Sequence, residues 1–340
     1  MIITRRFPRH LLVLFAARLV ALAGAWAAIV FAAYFYGNLT WLRVPFLPIA
    51  TIGTAVAFYI GFKNNSAYDR FWEGRKIWGG IVNESRTFAV AVLSFVDPTI
   101  GDERAHETRR ELVYRHLAWI NALRLQLRKR SRFYDRPSPS TRRRLEAHEE
   151  HMRNDWDKEL APFLSADELT EVSTHANPAS HMLLRQGRDL AALVEASRLD
   201  MFRQLELMSV VRELFALQGK CERIKNTPFP RQYAEFSRIF VRVFALLLPL
   251  GMLDVYAEHA GGTGLETLAM GTLMVISSAL VAWIFLTMEG IGDSSEDPFE
   301  RSMNDVPMNA LCRTIEIDLR EMLDETDLPE PEKPAGFVLY

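Results

Sequence analysis

Cysteine is scarce in this chain of 340 residues, which contains only Cys221 and Cys312. The two lie far apart and lack the close spacing of metal-binding or redox-active cysteine pairs. Their placement argues against a disulfide framework and against a zinc site. Two reduced thiols in a cytosolic setting are expected.

Excess charge of one sign is also lacking, since 40 Lys and Arg residues against 42 Asp and Glu residues leave a net charge of -2. A general nucleic-acid binder needs a basic face that releases counterions from phosphates. No nucleic-acid partner is therefore expected.

Enzyme motifs are missing from the sequence as well. It contains no Gly-rich phosphate loop, no nucleophile elbow and no kinase-like set of motifs. We therefore predict that the chain is not an enzyme, and we expect no catalytic residue, no metal and no cofactor.

Long apolar runs are what the sequence does contain, and the first two lie close together. Residues 11–36 are interrupted only by Arg18, and residues 44–62 carry no charge. About 20 apolar residues suffice to cross the hydrocarbon of a bilayer, so each run predicts a spanning helix. A cleaved signal peptide is the alternative for the first run, but its apolar core would have only about 7 to 15 residues.

Two further runs, residues 239–256 and 265–288, are separated by the glycine-rich residues 261–264. Glycines of this kind do not easily continue a helix, so a second helical hairpin is predicted. Lys and Arg precede both hairpins and follow the first one, whereas the turns contain no Lys and only Arg43. By the positive-inside rule, the N- and C-termini lie in the cytosol and the turns lie outside.

Arg18, Arg242 and Asp254 are charged residues that fall within the predicted spans. Ionisable residues in spans often mark a permeation path. Near an interface they also extend toward the headgroups or pair with one another. The sequence leaves both interpretations open.

Between the hairpins, helix-forming residues follow an amphipathic order, which predicts a cytosolic helical domain. An Arg-, Ser- and Pro-rich stretch around 128–144 is typical of an exposed connection, and the prolines within 227–230 predict a helix break before the third span. The expected organisation is a cytosolic N-terminus at 1–10, a first transmembrane hairpin at 11–62, a cytosolic helical domain at 63–238, a second transmembrane hairpin at 239–288, a cytosolic C-terminal segment at 289–325 and a flexible tail at 326–340.

The second span carries an aromatic stripe, because Thr54, Phe58 and Phe62 recur every four residues along one helix face. The polar residues from Lys63 onward follow without a helix breaker, so the helix is predicted to pass from hydrocarbon into a water-filled or protein-lined space. Packing against neighbouring helices is one interpretation of the stripe. The other is a pore-lining helix whose aromatic rings form a barrier that water wets poorly.

Several motifs in sequence order resemble the prokaryotic branch of the bestrophin channels. They are IGFKNN (60–65), YDRFWE (68–73), RKIWG (75–79), CERI (221–224), TPFP (227–230), EDPF (296–299) and NDVP (304–307). The resemblance covers nearly the whole chain apart from the Arg-, Ser- and Pro-rich stretch and the tail.

The resemblance implies an all-α membrane protein with four transmembrane helices per subunit and a cytosolic helical domain, assembled as a homopentamer around one axial pore. The positions that match the family's pore neck are Thr54, Phe58 and Phe62, with Thr54 in place of a usually aliphatic residue. A lower, cytosolic constriction is expected near Leu214.

The residues after the fourth span match a further family motif, made up of Glu296, Asp297, Pro298 and Phe299. Eukaryotic members bind calcium through a longer acidic run at this place, but Pro298 offers no side-chain oxygen here. No metal is therefore expected. We expect Glu296 and Asp297 to hold the chain through hydrogen bonds at helix ends.

The function expected from the resemblance is passive conduction of small anions, chloride among them, through a multi-pass protein of the bacterial inner membrane surrounded by lipid. A cation (sodium) channel of the same fold is the alternative if Asp69 or Glu73 faces the vestibule. A membrane-embedded lipid-modifying enzyme and a non-conducting scaffold or sensor are alternatives from other classes.

Overall fold

The structure is a computed structural model that describes residues 1–4, 9–97, 103–129, 149–260, 264–300 and 304–340. Most of the Arg-, Ser- and Pro-rich connection and most of the glycine-rich turn at 261–264 lie outside these ranges. The α-helices of the described residues are α1 (Arg9–Phe35), α2 (Phe46–Phe95), α3 (Glu103–Arg128), α4 (Trp156–Leu160), α5 (Ala166–Ser173), α6 (Pro178–Glu195), α7 (Met201–Asn226), α8 (Arg231–Ala257), α9 (Gly264–Asp293) and α10 (Met308–Met322).

Four helices are long and apolar enough to cross a membrane, namely α1, α2, α8 and α9. In the described residues, extended pairing is limited to isolated bridges such as the one between Ile2 and Val338. The prediction of an all-helical membrane protein with four spans is confirmed. The break predicted at 227–230 is confirmed too, because α7 ends at Asn226 and α8 begins at Arg231.

Helix α2 is unbroken over 50 residues, which corresponds to a length of about 75 Å. It therefore continues far beyond the stretch of about 20 residues that a bilayer requires. This confirms the prediction that the second span runs on without a break into polar residues. Contacts divide the chain into two compact units within this helix, between Asp69 and Arg70.

The first unit, here called the membrane unit, consists of Thr4–Asp69 and Phe229–Glu296. In it, α1 packs against α9 and α8. The indole of Trp26 donates to the carbonyl of Leu246 at 3.0 Å, which ties α1 to α8. Gly271 lies directly beside the ring of Phe31, where an added Cβ would be 2.2 Å from the nearest ring atom. Only glycine allows α1 and α9 to approach in this way.

The second unit, here called the helical unit, consists of Met1–Ile3, Arg70–Pro228 and Asp297–Tyr340. Its centre is α3, which is almost continuously buried from Leu112 to Leu125, as expected for a helix surrounded on all sides. Helices α6 and α10 pack against α3, and α7 packs against α6.

The last residues of the chain have no helix but are not free of contacts. Val338 and Tyr340 are buried with Met152 in a small apolar cluster, and the amide of Leu339 donates to the carbonyl of Met1 at 2.9 Å. The flexibility expected for residues 326–340 stays a prediction, as do the six segment boundaries.

Candidate functional site

The aromatic stripe of α2 lies on the surface of the membrane unit. Phe58 is 70% exposed and Phe62 is 59% exposed, and Thr54 on the same face is exposed as well. Two phenylalanines left uncovered within their own subunit are available to a lumen or to another chain.

The two phenylalanine rings contact each other edge to face. Their centroids are 4.8 Å apart and their planes meet at 83°, an arrangement favoured by the aromatic quadrupole. One turn earlier, the hydroxyl of Thr54 donates to the carbonyl of Ala50 at 3.1 Å. The hydroxyl hydrogen is thus used within the helix, and the stripe is predominantly apolar.

The opposite face of α2 is buried and ends in a lysine. Val56 and Ile60 belong to the apolar core with α8 and α9, and the side chain of Lys63 is completely buried. Its ammonium Nζ lies 3.1 Å from Glu289 Oε1 and 3.0 Å from Asp293 Oδ1. A buried ammonium ion is stable only with partners of this kind.

Two further charged groups complete this arrangement. Glu296 Oε1 lies 3.6 Å from Lys63 Nζ, and Arg238 Nη2 lies 2.9 Å from Asp293 Oδ2. We call Lys63, Arg238, Glu289, Asp293 and Glu296 the Lys63 cluster. Three carboxyl groups facing two basic groups leave one negative charge in excess when all five are ionised.

Within the Lys63 cluster, the surroundings of Glu296 raise the pKa of its carboxyl group. Burial of the carboxyl group raises its pKa to about 7, and the charge of Asp293 adds to that effect while Lys63 and Arg238 oppose it. Glu296 Oε1 has no hydrogen-bond partner. The protonated form of this carboxyl group therefore persists to a higher pH than that of an ordinary glutamate.

Sequence reasoning assigned no role to Lys63, Glu289 or Asp293. A signal was present, because Glu289, Asp293 and Glu296 recur at spacings of four and three residues, which place them near one side of a helix. The buried partner across from them was not foreseeable, since pairing between distant helices depends on tertiary structure.

The motif after the fourth span continues in the helical unit. Asp297 Oδ1 lies 3.3 Å from Arg70 Nη2, and Phe299 is buried in the core next to Gly74. Burial and the charge of Glu300 raise the pKa of Asp297 to about 6, with Arg70 opposing. Contrary to expectation, Asp297 pairs with a basic side chain rather than with a helix end, and Glu296 does the same with Lys63.

The residue expected near the lower constriction, Leu214, is completely buried in the core of the helical unit. Its side chain is therefore not available to a lumen. On the same helix, α7, the side chains of Met208 and Phe215 do reach the surface. The approximate position of a lower constriction on α7 stays a prediction.

Among the charged residues within the spans, Asp254 has a clear role. It accepts a hydrogen bond from Arg43 Nε at 2.8 Å and one from the backbone N–H of Phe46, the first residue of α2, at 3.1 Å. Within this chain, Asp254 is thus paired with Arg43 rather than exposed to a permeation path. Arg18 and Arg242 are exposed, and both of their interpretations stay open.

The described residues contain no group of three or more His, Cys, Asp or Glu side chains positioned to hold a metal ion. Cys221 and Cys312 are both unpaired and buried. Burial raises the pKa of the Cys312 thiol to about 11 and that of Cys221 further still. Both thiols are therefore protonated at neutral pH and are poor nucleophiles.

Comparison with known proteins places these features in a family. A family profile described as Bacterial/Fungal Bestrophin protein matches residues 2–321. A voltage-dependent anion channel-forming protein of Mesorhizobium japonicum is 32% identical over 278 residues, which cover 82% of this chain and 75% of the relative. A protein of the same description from Escherichia coli (strain K12) is 27% identical over 302 residues, which cover 89% of this chain and 84% of the relative.

The fold is similar to that of a solved structure. The structure superimposes on the crystal structure of a bacterial bestrophin homolog from Klebsiella pneumoniae with a TM-score of 0.74 and 24% sequence identity, covering 91% of this chain and 98% of that one. Because the profile match spans nearly the whole sequence and a relative exceeds 30% identity, this chain belongs to the bacterial and fungal bestrophin family.

Proposed function

We propose that this chain is the subunit of a passive channel that conducts small anions, chloride among them. The observation that carries the proposal is the exposed pair Phe58 and Phe62 on a helix long enough to span a bilayer. The choice of anions is supported by relatives named as voltage-dependent anion channel-forming proteins.

The proposed assembly is a homopentamer around one axis, with α2 of each copy lining the pore. Thr54, Phe58 and Phe62 then form three rings spaced by about 6 Å, the rise of four helical residues. Rings of this kind create a stretch that water wets poorly, so a small change in diameter is enough to stop conduction.

The aromatic geometry also favours anions. The faces of an aromatic ring are negative and its edges are positive. Because the planes of Phe58 and Phe62 are nearly perpendicular, at most one of the two rings can turn its face toward a lumen. The other presents its positive edge to a passing anion.

The proposed topology places the channel in the bacterial inner membrane, with both termini in the cytosol and lipid around the spans. Reporter fusions at the N-terminus and in the turn near Thr40 test this arrangement. A reporter that is active only inside the cell should work at the N-terminus and fail in the turn.

The cation-selective alternative depends on acidic side chains beyond the neck. Glu73 is paired with Arg223 at 2.7 Å, which cancels its charge locally, whereas Asp69 lies within reach of Asn65 only through a weak 3.4 Å hydrogen bond. Pairing with Arg223 thus weakens one of the two carboxylates on which the cation alternative depends, and the reversal potential decides what Asp69 contributes. A lipid-modifying enzyme would need an acid, a base or a metal at the bilayer surface. That this chain has no enzymatic activity stays a prediction.

Purified protein in planar bilayers under a KCl gradient tests the proposal. Currents should reverse near the equilibrium potential of chloride. Reversal near the potassium value would select the cation channel, and absence of current from an intact assembly would select a scaffold or sensor. Native mass spectrometry reports the assembly separately, and a monomer would refute the pore.

A further inference from the structure

Phe62 and Lys63 are neighbours in sequence but lie on different faces of α2. Phe62 lies on the exposed stripe, whereas the side chain of Lys63 is completely buried. Successive helical residues are rotated by about 100° and share a rigid backbone. A displacement of the α2 backbone at Lys63 therefore moves Phe62 with it.

The Lys63 cluster gathers charged groups from every element around Glu296 within the membrane unit. Helix α2 contributes Lys63, α9 contributes Glu289 and Asp293, and α8 contributes Arg238. Arg238 is also paired with Glu235 of its own helix at 3.1 Å. The cluster has two positive and two negative charges when Glu296 is protonated, and an extra negative charge when it is ionised.

Protonation of Glu296 changes which partners hold Lys63. The neutral acid leaves the ammonium group to Glu289 and Asp293, to which it donates hydrogen bonds. The ionised carboxylate attracts Lys63 Nζ from a distance of 3.6 Å, just beyond a hydrogen bond. In a buried setting this attraction is weakly screened.

We propose that Lys63 is a positioning residue for the Phe62 ring of the pore, and that protonation of Glu296 alters this positioning and so makes conduction depend on pH. The inference rests on the proposed channel function. It assigns to the Lys63 cluster a regulatory role that a purely structural ion pair would not have.

The raised pKa of Glu296, about 7, puts the transition within the range that a cell experiences. A second observation supports a close fit between α2 and α9 at this level. Asn64 donates to the carbonyl of Met288 at 2.9 Å, and an added Cβ on Gly292 would lie 2.1 Å from Asn64 Oδ1. The side chain of Asn64, the residue after Lys63, thus packs closely against α9 beside the residues that Lys63 contacts.

Fluorine NMR tests the coupling without requiring any current. 4-Fluorophenylalanine is placed at position 62 of the detergent-solubilised full chain, and its resonance is followed from pH 5 to pH 9, roughly two units on either side of the pKa near 7. The resonance should shift with a midpoint near neutrality. In Glu296→Gln the shift should disappear, and in Lys63→Gln it should become much smaller.

Asp297→Asn is the matched control, because it removes the adjacent carboxyl group, which belongs to the helical unit and pairs with Arg70. This variant should keep the titration of position 62. A resonance that does not titrate, or that titrates equally in Glu296→Gln, overturns the inference. Lys63→Arg, which keeps the charge, serves as the second variant if Lys63→Gln does not fold.

Bilayer recordings then separate the inference from the proposed function. Open probability should depend on pH in the unmodified channel and lose that dependence in Glu296→Gln. Currents with the same pH profile in both proteins would refute the role of Glu296 and leave the channel proposal standing. If no current flows at any pH, the channel is refuted, and the fluorine titration alone decides whether Glu296 controls Phe62.

Discussion

The ring of Phe58 stands almost perpendicular to the ring of Phe62, at 83° with 4.8 Å between centroids. Each ring therefore restricts the rotation of the other, and the pair behaves as one apolar surface along α2. Because both rings are exposed in the single chain, changes at either position alter that surface without opening a cavity in the subunit core.

Phe58→Ala should raise the open probability or change the ion selectivity, because it removes one ring of the proposed barrier and frees Phe62 to rotate. Single-channel recording measures both. Phe236→Ala removes the same atoms from an exposed position of α8 and should leave conduction unchanged. If Phe58→Ala also leaves it unchanged, Phe58 only packs against neighbours.

Gly271→Ala should destabilise the membrane unit by about 1 to 3 kcal/mol, as overpacking typically does. The added Cβ would lie 2.2 Å from the Phe31 ring, which must move. Gly290→Ala on the same helix meets nothing within 4 Å, and should be neutral or stabilising by up to about 1 kcal/mol. Thermal unfolding in detergent compares the two, and equal midpoints would contradict the close approach of α1 and α9.

The stability of the protein should contain a pH-dependent contribution from Glu296. Its pKa is about 7 in the folded chain and 4.5 as the ordinary value, so the folded state keeps a proton that the unfolded state releases. The resulting stabilisation is complete below about pH 4.5 and is lost as the pH rises through about 7. From the size of the pKa shift it amounts to about 3 kcal/mol at most.

Glu296→Gln removes this contribution, so its unfolding midpoint relative to the unmodified protein should rise as the pH increases across that window. Asp297, with a pKa of about 6, contributes in the same direction, so the comparison must be between variant and parent at each pH. A constant difference from pH 5 to pH 8, which brackets the pKa near 7, would contradict the raised pKa of Glu296.

Glu159→Ala should be among the most destabilising changes in the helical unit. Glu159 is buried between Arg124, at 2.6 Å, and Arg153, at 2.8 Å. Removing one partner of a buried ion pair costs about 3 to 5 kcal/mol because a charge is left unpaired. Glu330→Ala breaks the pair with Lys333, which is 77% exposed, and should change stability by less than about 0.5 kcal/mol. Similar midpoints for the two variants would show that Arg124 finds another partner.

The spans and the continuity of α2 were predictable because they depend on local sequence. Runs of apolar residues long enough for a bilayer are rare in other contexts, and no breaker separates Phe62 from Lys63. Helix periodicity predicted that Phe58 and Phe62 share one face, but both faces of this stretch are apolar, so only the structure shows that Val56 and Ile60 occupy the buried one.

The Lys63 cluster and the burial of Leu214 were not predictable in the same way. Both depend on which distant helices meet, and a lysine next to a polar stretch has the same local pattern whether it is exposed or buried. The carboxylates of Glu296 and Asp297 were assigned to helix ends for a related reason, since the positions of Lys63 and Arg70 relative to them arise only in the folded chain.

The unbroken helix α2 also limits which insertions and deletions this part of the sequence can accept. One inserted residue after Phe62 would turn every preceding side chain by about 100° relative to those that follow, and a single deletion would do so in the opposite sense. An insertion of about seven residues, close to two full turns, would nearly preserve the phase. Related sequences should therefore show substitutions along this stretch but almost no change in its length, and their variation in length should fall in the connections between helices.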